Sequence, residues 1–513
     1  MKHIAFIDLG SNSVRFVIIE IADNGSYQLI YQQKESIRLS EGMWEKQKLT
    51  IAAMMRAIKT LLAFSHMAEA MNCDEIIAVA TAAVRLAKNG QAFIDMVREQ
   101  TGIPIRCISG EEEANYGFLG VINTIALRDF VLFDLGGASV EVSLVRNRRV
   151  VKSVSLPMGA LTLTGAFQSG KEFTDKEYES MVAHIRKLLA KQDWLKHTKL
   201  PLIGIGGTIR NIAKIDQRKY AYPVTKLHNY QLTAERLQEV IGLVRGRNLS
   251  QRRKISGLST ERADIIIAGV TVVNELLSYV GAECILVSGC GLREGLFYKY
   301  YGENYMNPSG IIDDILLHST ENVLLSSPQN DLIHAKYIAN ICNTLYEEWA
   351  PIHGYGKRTG DLLRVASLLH DIGKEINYYN HAKHSAYVIV NCNLYGLTHV
   401  EQAMCAFIAA CSHGANGRFV KRTDYGKLLT PEQQEEVMRV STILALAEAI
   451  DESHEQPAMS LTSTITNDKV EVTIWKKKGT HTTIADVAIN QLQKQFKRDY
   501  KRKLVVIWKP TLS

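Results

Sequence analysis

The chain has 513 residues, of which 46% are hydrophobic and 22% charged, and its net charge is +7. At roughly 100 to 200 residues per domain, this length excludes one common core and predicts about three or four domains. No apolar run approaches the ~18 residues of a membrane-spanning helix, and polar residues interrupt the opening MKHIAFIDLGSNS before a signal-peptide core is complete.

From residue 1 to about 125, the apolar pattern predicts three strands in a meander, HIAFIDLG, VRFVIIEI and YQLIYQQ. The amphipathic helix MMRAIKTLLAFSHMAEA follows, then the short buried strands EIIAVAT and PIRCIS, each with a helix after it. Residues 126–305 repeat the order with DFVLFDLG, ASVEVSLVR and RRVVKSVSLP, a helix near 175–192, the strand PLIGIGG, more helices and the strand CILVSGC. A duplicated α/β unit accounts for that recurrence. The stretch MNPSG reads as a linker, and residues 306–457 read as helices rich in Leu, Ala and His. Residues 458–513 form a small α+β domain with a strand KVEVTIWKKKG, a helix ADVAINQLQKQFKRDY and a strand KLVVIWKP.

Charge is uneven along this order. From Ser460 onward eleven Lys and Arg stand against four acids, so the tail carries the whole net charge. A basic module of this kind suits a polyanion, whether nucleic acid, polyphosphate or an acidic membrane surface, and is otherwise a solvated face. A soluble, cytoplasmic protein is expected, peripheral to the membrane if the tail meets acidic lipid. The eight cysteines show no CxxC and no close pairs, so free, buried thiols are expected.

One motif occurs twice: FIDLGSNS carries Asp8 and LFDLGGAS carries Asp134, 126 positions apart. An Asp at a strand end followed by Gly and small hydroxylated residues lets backbone N–H groups crowd an anion while the carboxylate faces it, usually through a metal ion. Read alone, each is equally an ordinary Asx or Ser turn. Two of them suggest two halves clamping one phosphate chain, with Ser11, Asn12 and Ser13 following the first Asp and Gly136, Gly137, Ala138 and Ser139 following the second. Asp134 and Glu141 suit a hard divalent cation, most naturally Mg²⁺. Two further glycine turns, at Gly206-Gly207-Thr208 and at Gly289 to Gly295, also join a strand to a helix and present free N–H groups. Between the tips lie Arg85, whose guanidinium fork suits phosphate, and Glu111-Glu112-Glu113. Three Glu at a helix start fit a dipole-favoured first turn; a carboxylate beside bound polyphosphate also fits activation of a water.

The strings DLGSNS, TAAVR, SGEEEA, FDLGGASVE, GIGGT and SGCGLREG, in this order, resemble the exopolyphosphatase and guanosine pentaphosphate phosphohydrolase family of the actin-like ATPase superfamily. The resemblance covers residues 1–300 and implies two actin-like (ribonuclease H-like) lobes, 1–125 and 126–305. It implies that Glu113 is the catalytic carboxylate, that Asp8, Asp134 and Glu141 serve Mg²⁺, and that Ser11, Asn12, Ser13, Arg85, Gly136, Gly137, Gly207 and Thr208 line the phosphate path. Where the family loop usually runs Gly-Gly-Gly-Ser, this chain has Ala138, whose methyl restricts φ and narrows the approach to phosphate. The implied reaction is Mg²⁺-dependent release of orthophosphate from inorganic polyphosphate, with guanosine pentaphosphate as the alternative substrate. A homodimer is implied, and no nucleic acid is required. An actin-like kinase and a non-catalytic sensor of polyphosphate or alarmone are the other classes this cleft admits.

The helical segment resembles HD-type metal phosphohydrolases: His370 and Asp371 in LLHDIGKE, His334 upstream and Asp451 downstream fit the H…HD…D pattern, and His384 and His413 stand where such domains add ligands. The resemblance implies an all-α HD-like domain with a second metal drawn from Mn²⁺, Fe²⁺, Ni²⁺ or Zn²⁺, or a structural relic in which the imidazoles bond one another and backbone carbonyls.

Overall fold

A computed structural model describes residues 1–43, 47–170, 172–327, 331–415 and 417–511. They form two compact units, Met1–Ile315 and Leu316–Ser513. No helix among the described residues is long and apolar enough to cross a membrane.

In the first unit β1 (Lys2–Leu9), β2 (Ser13–Ile21) and β3 (Tyr27–Ser36) make the expected meander. β4 (Glu75–Ala80) and β5 (Ile105–Cys107) extend it in the order β3-β2-β1-β4-β5, with β4 parallel to both β1 and β5. The second sheet contains β6 (Phe130–Leu135), β7 (Val140–Arg146), β8 (Arg149–Leu156), β9 (Leu202–Ile205), β10 (Tyr230–Thr233) and β11 (Cys284–Val287), in the order β10-β11-β9-β6-β7-β8. β10 was not expected from the sequence: YQLT is four residues long, and its outer positions Gln231 and Thr233 are exposed, so it carries too short an alternation to register.

Each central strand is buried on both faces, which explains its near-continuous apolar run. Ala5, Ile7 and Leu9 of β1 enter one core, while Ile4 and Phe6 enter another that contains Leu296, Phe297 and Tyr301. β6 divides likewise, with Phe130 and Leu132 packing on Phe118, Leu119 and Ile122. The helices Gly110–Ile122 and Leu292–Tyr305 supply those inner contacts. They cross at glycines: a Cβ on Gly295 would lie 1.8 Å from the Tyr116 carbonyl oxygen, and one on Gly120 would lie 2.2 Å from that of Gly291. By period-2 alternation Asp134 points to the same side as Phe130 and Leu132, toward the helix that carries Glu113.

The second unit combines helices with a sheet of β12 (Ala458–Ile465), β13 (Lys469–Lys476) and β14 (Lys503–Pro510), in the order β12-β13-β14. β13 and β14 are parallel, joined by the helix Thr483–Tyr500. Trp349 meets Phe496 and Tyr500 edge-on, each at 5.4 Å between ring centroids, and Thr442 donates to Asp499. The helices and the sheet therefore share one core. None of the eight cysteines forms a disulfide; four are buried, and Cys107 departs from the expected burial by being exposed.

Candidate functional site

The repeated tips occupy equivalent places in the two sheets but differ in chemistry. Across the β1–β2 hairpin Asp8 pairs with Arg15, and across the β6–β7 hairpin Asp134 pairs with Glu141. Directly opposed residues of an antiparallel pair project to one side. Arg15 Nη1 lies 3.4 Å from Asp8 Oδ2, so the first tip is compensated within the fold. At the second tip a carboxylate faces a carboxylate. Burial first, and then the Glu141 charge, push the Asp134 pKa up to about 7, against the opposing pull of Arg15. Ser139 and Ser155 donate to Glu141 Oε1 at 2.6 and 2.9 Å and hold its carboxylate in place.

The three consecutive glutamates separate into three roles. Glu112 closes a capping box with Ser109, accepting from its backbone N–H at 2.9 Å, and ion-pairs with Arg106. Glu111 is exposed, and Glu113 turns into the cleft. The dipole-favoured first turn and the cleft carboxylate are thus both present, on different residues. Burial and then the Glu141 charge raise the Glu113 pKa to about 8, although Arg85 acts to lower it.

One cavity of about 140 Å³ is lined by Asp8, Ser11, Asn12, Ser13, Glu113, Asp134, Gly136, Gly137, Ala138, Ser139, Glu141 and Gly207. All four glycine turns reach this neighbourhood, with Gly10, Gly206 and Gly291 also on its wall. Gly206 has φ +98°, and a Cβ there would sit 2.8 Å from Asp134 Oδ1, so glycine is required for the turn to close on the carboxylate. Ala138 does not fall among the positive-φ residues, so its methyl narrows the space without straining the backbone.

Two expected residues lie elsewhere. Arg85 does not line the cavity; its Nη1 donates to Ile108 O at 2.8 Å and to Glu113 Oε2 at 3.0 Å, so that nitrogen holds the glutamate. Thr208 is buried behind the turn, where its hydroxyl receives Arg262 Nη1 at 3.4 Å and its methyl packs toward Gly269. The sequence reading missed the cations that do line the cleft: Arg15, Arg210, Arg262 and Arg293.

Those arginines open onto a second, larger cavity of about 1220 Å³, shared along Arg15, Gly207, Arg210, Arg262 and Arg293. Its described lining adds Lys34, Lys214 and Arg218, and contains no carboxylate. Arg210, Lys214 and Arg218 recur every four residues on the helix Gly207–Lys219, a stripe on one face that was readable from the sequence. Burial, with Arg15 and Arg293 beside it, lowers the Arg210 pKa to about 10, and burial and Arg15 lower that of Arg262. Cations crowded this closely favour an anion between them.

The second unit gathers another set of polar groups. His334 Nε2 and His370 Nε2 lie 3.3 and 2.6 Å from Glu448 Oε1. Asp371, His381 and His413 form an adjoining group. Burial opposes charge on His334, but Asp451 and Glu448 outweigh it and raise its pKa. Asp451, expected as a ligand, instead accepts from His334 Nδ1 at 2.8 Å on the far side of the ring, and Glu448, one helical turn earlier, takes the central place. His413 joins the cluster as expected, and His381, at the start of the helix His381–Asn391, joins it where His384 was expected.

Comparison with known proteins agrees with this geometry. The Ppx/GppA phosphatase family model matches residues 17–303, and the model of domain III of that phosphatase matches residues 319–501. A guanosine-5'-triphosphate,3'-diphosphate pyrophosphatase of Aeromonas hydrophila is 29% identical over 406 residues, 78% of each chain. The Aquifex aeolicus member of the Ppx/GppA family aligns at 27% identity and TM-score 0.53, over 59% of this chain and 99% of its own. An exopolyphosphatase of Cytophaga hutchinsonii, at 24% identity and TM-score 0.55 over 60% of this chain and all of its own, shares the fold. Paired sheets with acid-tipped hairpins, glycine turns around one cleft and a matched third domain agree on one assignment: the chain belongs to the Ppx/GppA phosphatase family, with its actin-like ATPase fold.

Proposed function

We propose that the cleft hydrolyses the terminal phosphoanhydride of inorganic polyphosphate and releases orthophosphate. The observation that carries this reading is the adjacency of the carboxylate-lined cavity to a larger one lined by seven Lys and Arg without an acid. The first suits attack on a phosphorus, and the second suits the negative charge of the remaining chain.

Glu113 takes the proton from a water as its oxygen attacks the terminal phosphorus, and the bond from that phosphorus to the bridging oxygen breaks. Arg85 holds the glutamate in register for this step. Backbone N–H groups of the glycine turns, with Ser11, Asn12, Ser13 and Ser139, surround the non-bridging oxygens. Of the five carboxylates on this small cavity, Asp8, Glu113, Asp134, Glu141 and Glu294, two have a raised pKa, and the set offers hard oxygen donors that fit Mg²⁺, with Asp134, Glu141 and Asp8 as its holders. When bound, the ion supplies Lewis acidity toward phosphoryl oxygens.

Guanosine pentaphosphate is the second reading, favoured by the name of the Aeromonas relative and by a cavity roomy enough for a nucleoside, with Tyr222, Gln32 and Asn211 on its wall. Phosphate release from long polyphosphate, tripolyphosphate, guanosine pentaphosphate and ATP, each with and without Mg²⁺, decides between them. Release from none of the four overturns the hydrolase reading. In the second unit, the proposal includes a first-row transition metal (Mn, Fe, Ni or Zn) held by His334, His370 and Asp371 together with Glu448. Homodimer formation is proposed on the family resemblance, and sedimentation at micromolar concentration tests it.

A further inference from the structure

Four histidines of the second unit share one arrangement. His334 Nδ1 faces Asp451 Oδ2 at 2.8 Å, His370 Nδ1 faces Ser367 O at 2.7 Å, His381 Nδ1 faces Tyr378 O at 3.0 Å, and His413 Nδ1 faces Ser412 Oγ at 3.0 Å. Ser412 Oγ donates its own hydrogen to Ala409 O, so it accepts from the ring. An acceptor at every Nδ1 sets the hydrogen there and leaves every Nε2 with its lone pair toward the common centre. Among the described residues His334 Nε2, His370 Nε2, His381 Nε2, Asp371 Oδ1 and Glu448 Oε1 are buried and make no hydrogen bond. The 2.6 Å approach of His370 Nε2 to Glu448 Oε1 lacks hydrogen-bond geometry, which is how two ligands of one ion stand to each other.

The two carboxylates divide their oxygens between two groups of nitrogens. Glu448 Oε1 meets His334 and His370, while Glu448 Oε2 lies 3.5 Å from His413 Nε2. Asp371 Oδ2 lies 3.5 Å from His370 Nε2, while Asp371 Oδ1 lies 3.5 Å from His381 Nε2. Each carboxylate therefore addresses both pairs of histidines.

We propose that this cluster is a two-metal centre, with one divalent transition ion on His334 and His370, a second on His381 and His413, and Asp371 and Glu448 bridging them. Two imidazole nitrogens and two carboxylate oxygens at each ion form a borderline donor set that suits Mn²⁺, Fe²⁺ or Zn²⁺. Such a shell leaves coordination positions to oxygen ligands from solvent or a phosphate group, as two-ion hydrolytic sites do. Asp451 is a positioning residue that orients His334 from behind. The two-ion count rests on the metal reading of this unit given above, and the stoichiometry separates the two.

The test uses the full chain, stripped with a chelator, reloaded with Mn²⁺ in the presence of excess Mg²⁺ to hold the cleft, and desalted before elemental analysis and electron paramagnetic resonance. Two equivalents of manganese per chain with an exchange-coupled signal are expected, and both persist in Asp134→Asn. His381→Asn and His413→Asn each retain one equivalent, uncoupled; Glu448→Gln loses the coupling; Asp451→Asn keeps two with about 10- to 100-fold weaker affinity. One equivalent in the unaltered protein overturns the two-ion count and leaves a single-metal site. No manganese overturns both, and loss of manganese in Asp134→Asn assigns it to the cleft and overturns the proposal.

Discussion

Arg85 Nη1 lies 3.0 Å from Glu113 Oε2 while the same nitrogen donates to the Ile108 carbonyl at 2.8 Å. The arginine thus ties the proposed base to the end of β5, and it opposes the rise in pKa that burial and Glu141 impose. Replacing Arg85 with Met removes that opposition, so Glu113 stays protonated to higher pH. The acid limb of kcat/KM should move upward, with a loss on the order of tenfold near neutrality for each unit of displacement. Arg85→Lys should restore part of it. An unchanged pH profile in Arg85→Met would refute the coupling.

Glu113→Gln keeps the size of the side chain and removes its basicity. A fall in kcat by about 10²- to 10⁴-fold with little change in KM is the expected result. Wild-type phosphate release by this variant would exclude Glu113 as the base.

Asp134, its pKa pushed up to about 7, binds a proton at the place proposed for the cation. It must lose that proton before the ion gains its charge, so Mg²⁺ and H⁺ compete. Half-maximal Mg²⁺ should fall as pH rises from about 6 to about 8, by up to tenfold per unit for each proton displaced. Asp134→Asn should need at least tenfold more Mg²⁺ and lose much of the pH dependence, whereas Asp8→Asn, at the tip already paired to Arg15, should change the requirement less. A Mg²⁺ requirement independent of pH counts against this competition.

Arg210, Lys214 and Arg218 form the cationic stripe of the larger cavity. Lys214→Ala and Arg218→Ala should raise KM for long polyphosphate, leave kcat near its starting value, and lower the slope of log affinity against log salt by about one per cation removed. Equal KM for tripolyphosphate and long chains in wild type and variants would show that the stripe does not carry the chain.

Gly295→Ala tests the helix crossing that positions Glu113. Its methyl meets the Tyr116 carbonyl, which is rigid backbone, so overpacking of about 1–3 kcal/mol outweighs the gain in helix propensity of about 1 kcal/mol. Gly242→Ala, in the helix Ala234–Arg245 with nothing within 4 Å, is the control and should stabilise slightly. Denaturant unfolding of both variants separates packing from propensity.

Asp8, Asp134, Glu141 and the glycine turns were legible because each is local chemistry at a strand end, and the repeat brought them into one scheme, whereas Glu113 stood out from its two neighbours only through the family resemblance. Arg262 and Arg293 were not, since no nearby spacing signals that two distant arginines enter one cavity. The donors of Arg85 suit phosphate and carboxylate equally well, and only the positions of Ile108 and Glu113 show what its Nη1 meets. In the second unit, the H…HD…D pattern contains three residues of the polar cluster, His334, His370 and Asp371, yet Glu448 and Asp451 are both acids at one helix end, and three residues of spacing do not say which faces inward.

The sequence by itself determined the chain order of the strands around the repeated tips and the glycine turns, because these follow from hydrophobic period and backbone sterics within a few residues; it narrowed the acid between the tips to Glu111, Glu112 and Glu113, and only the family resemblance pointed to the last. Tertiary structure alone decided the charge balance. It placed Arg15 opposite Asp8 and Glu141 opposite Asp134, so two copies of one motif became a neutralised tip and a cation-seeking tip. That difference depends on which side chains share a face across a hairpin and what burial excludes, and Coulomb interactions at these distances are settled by position in space rather than by residue type.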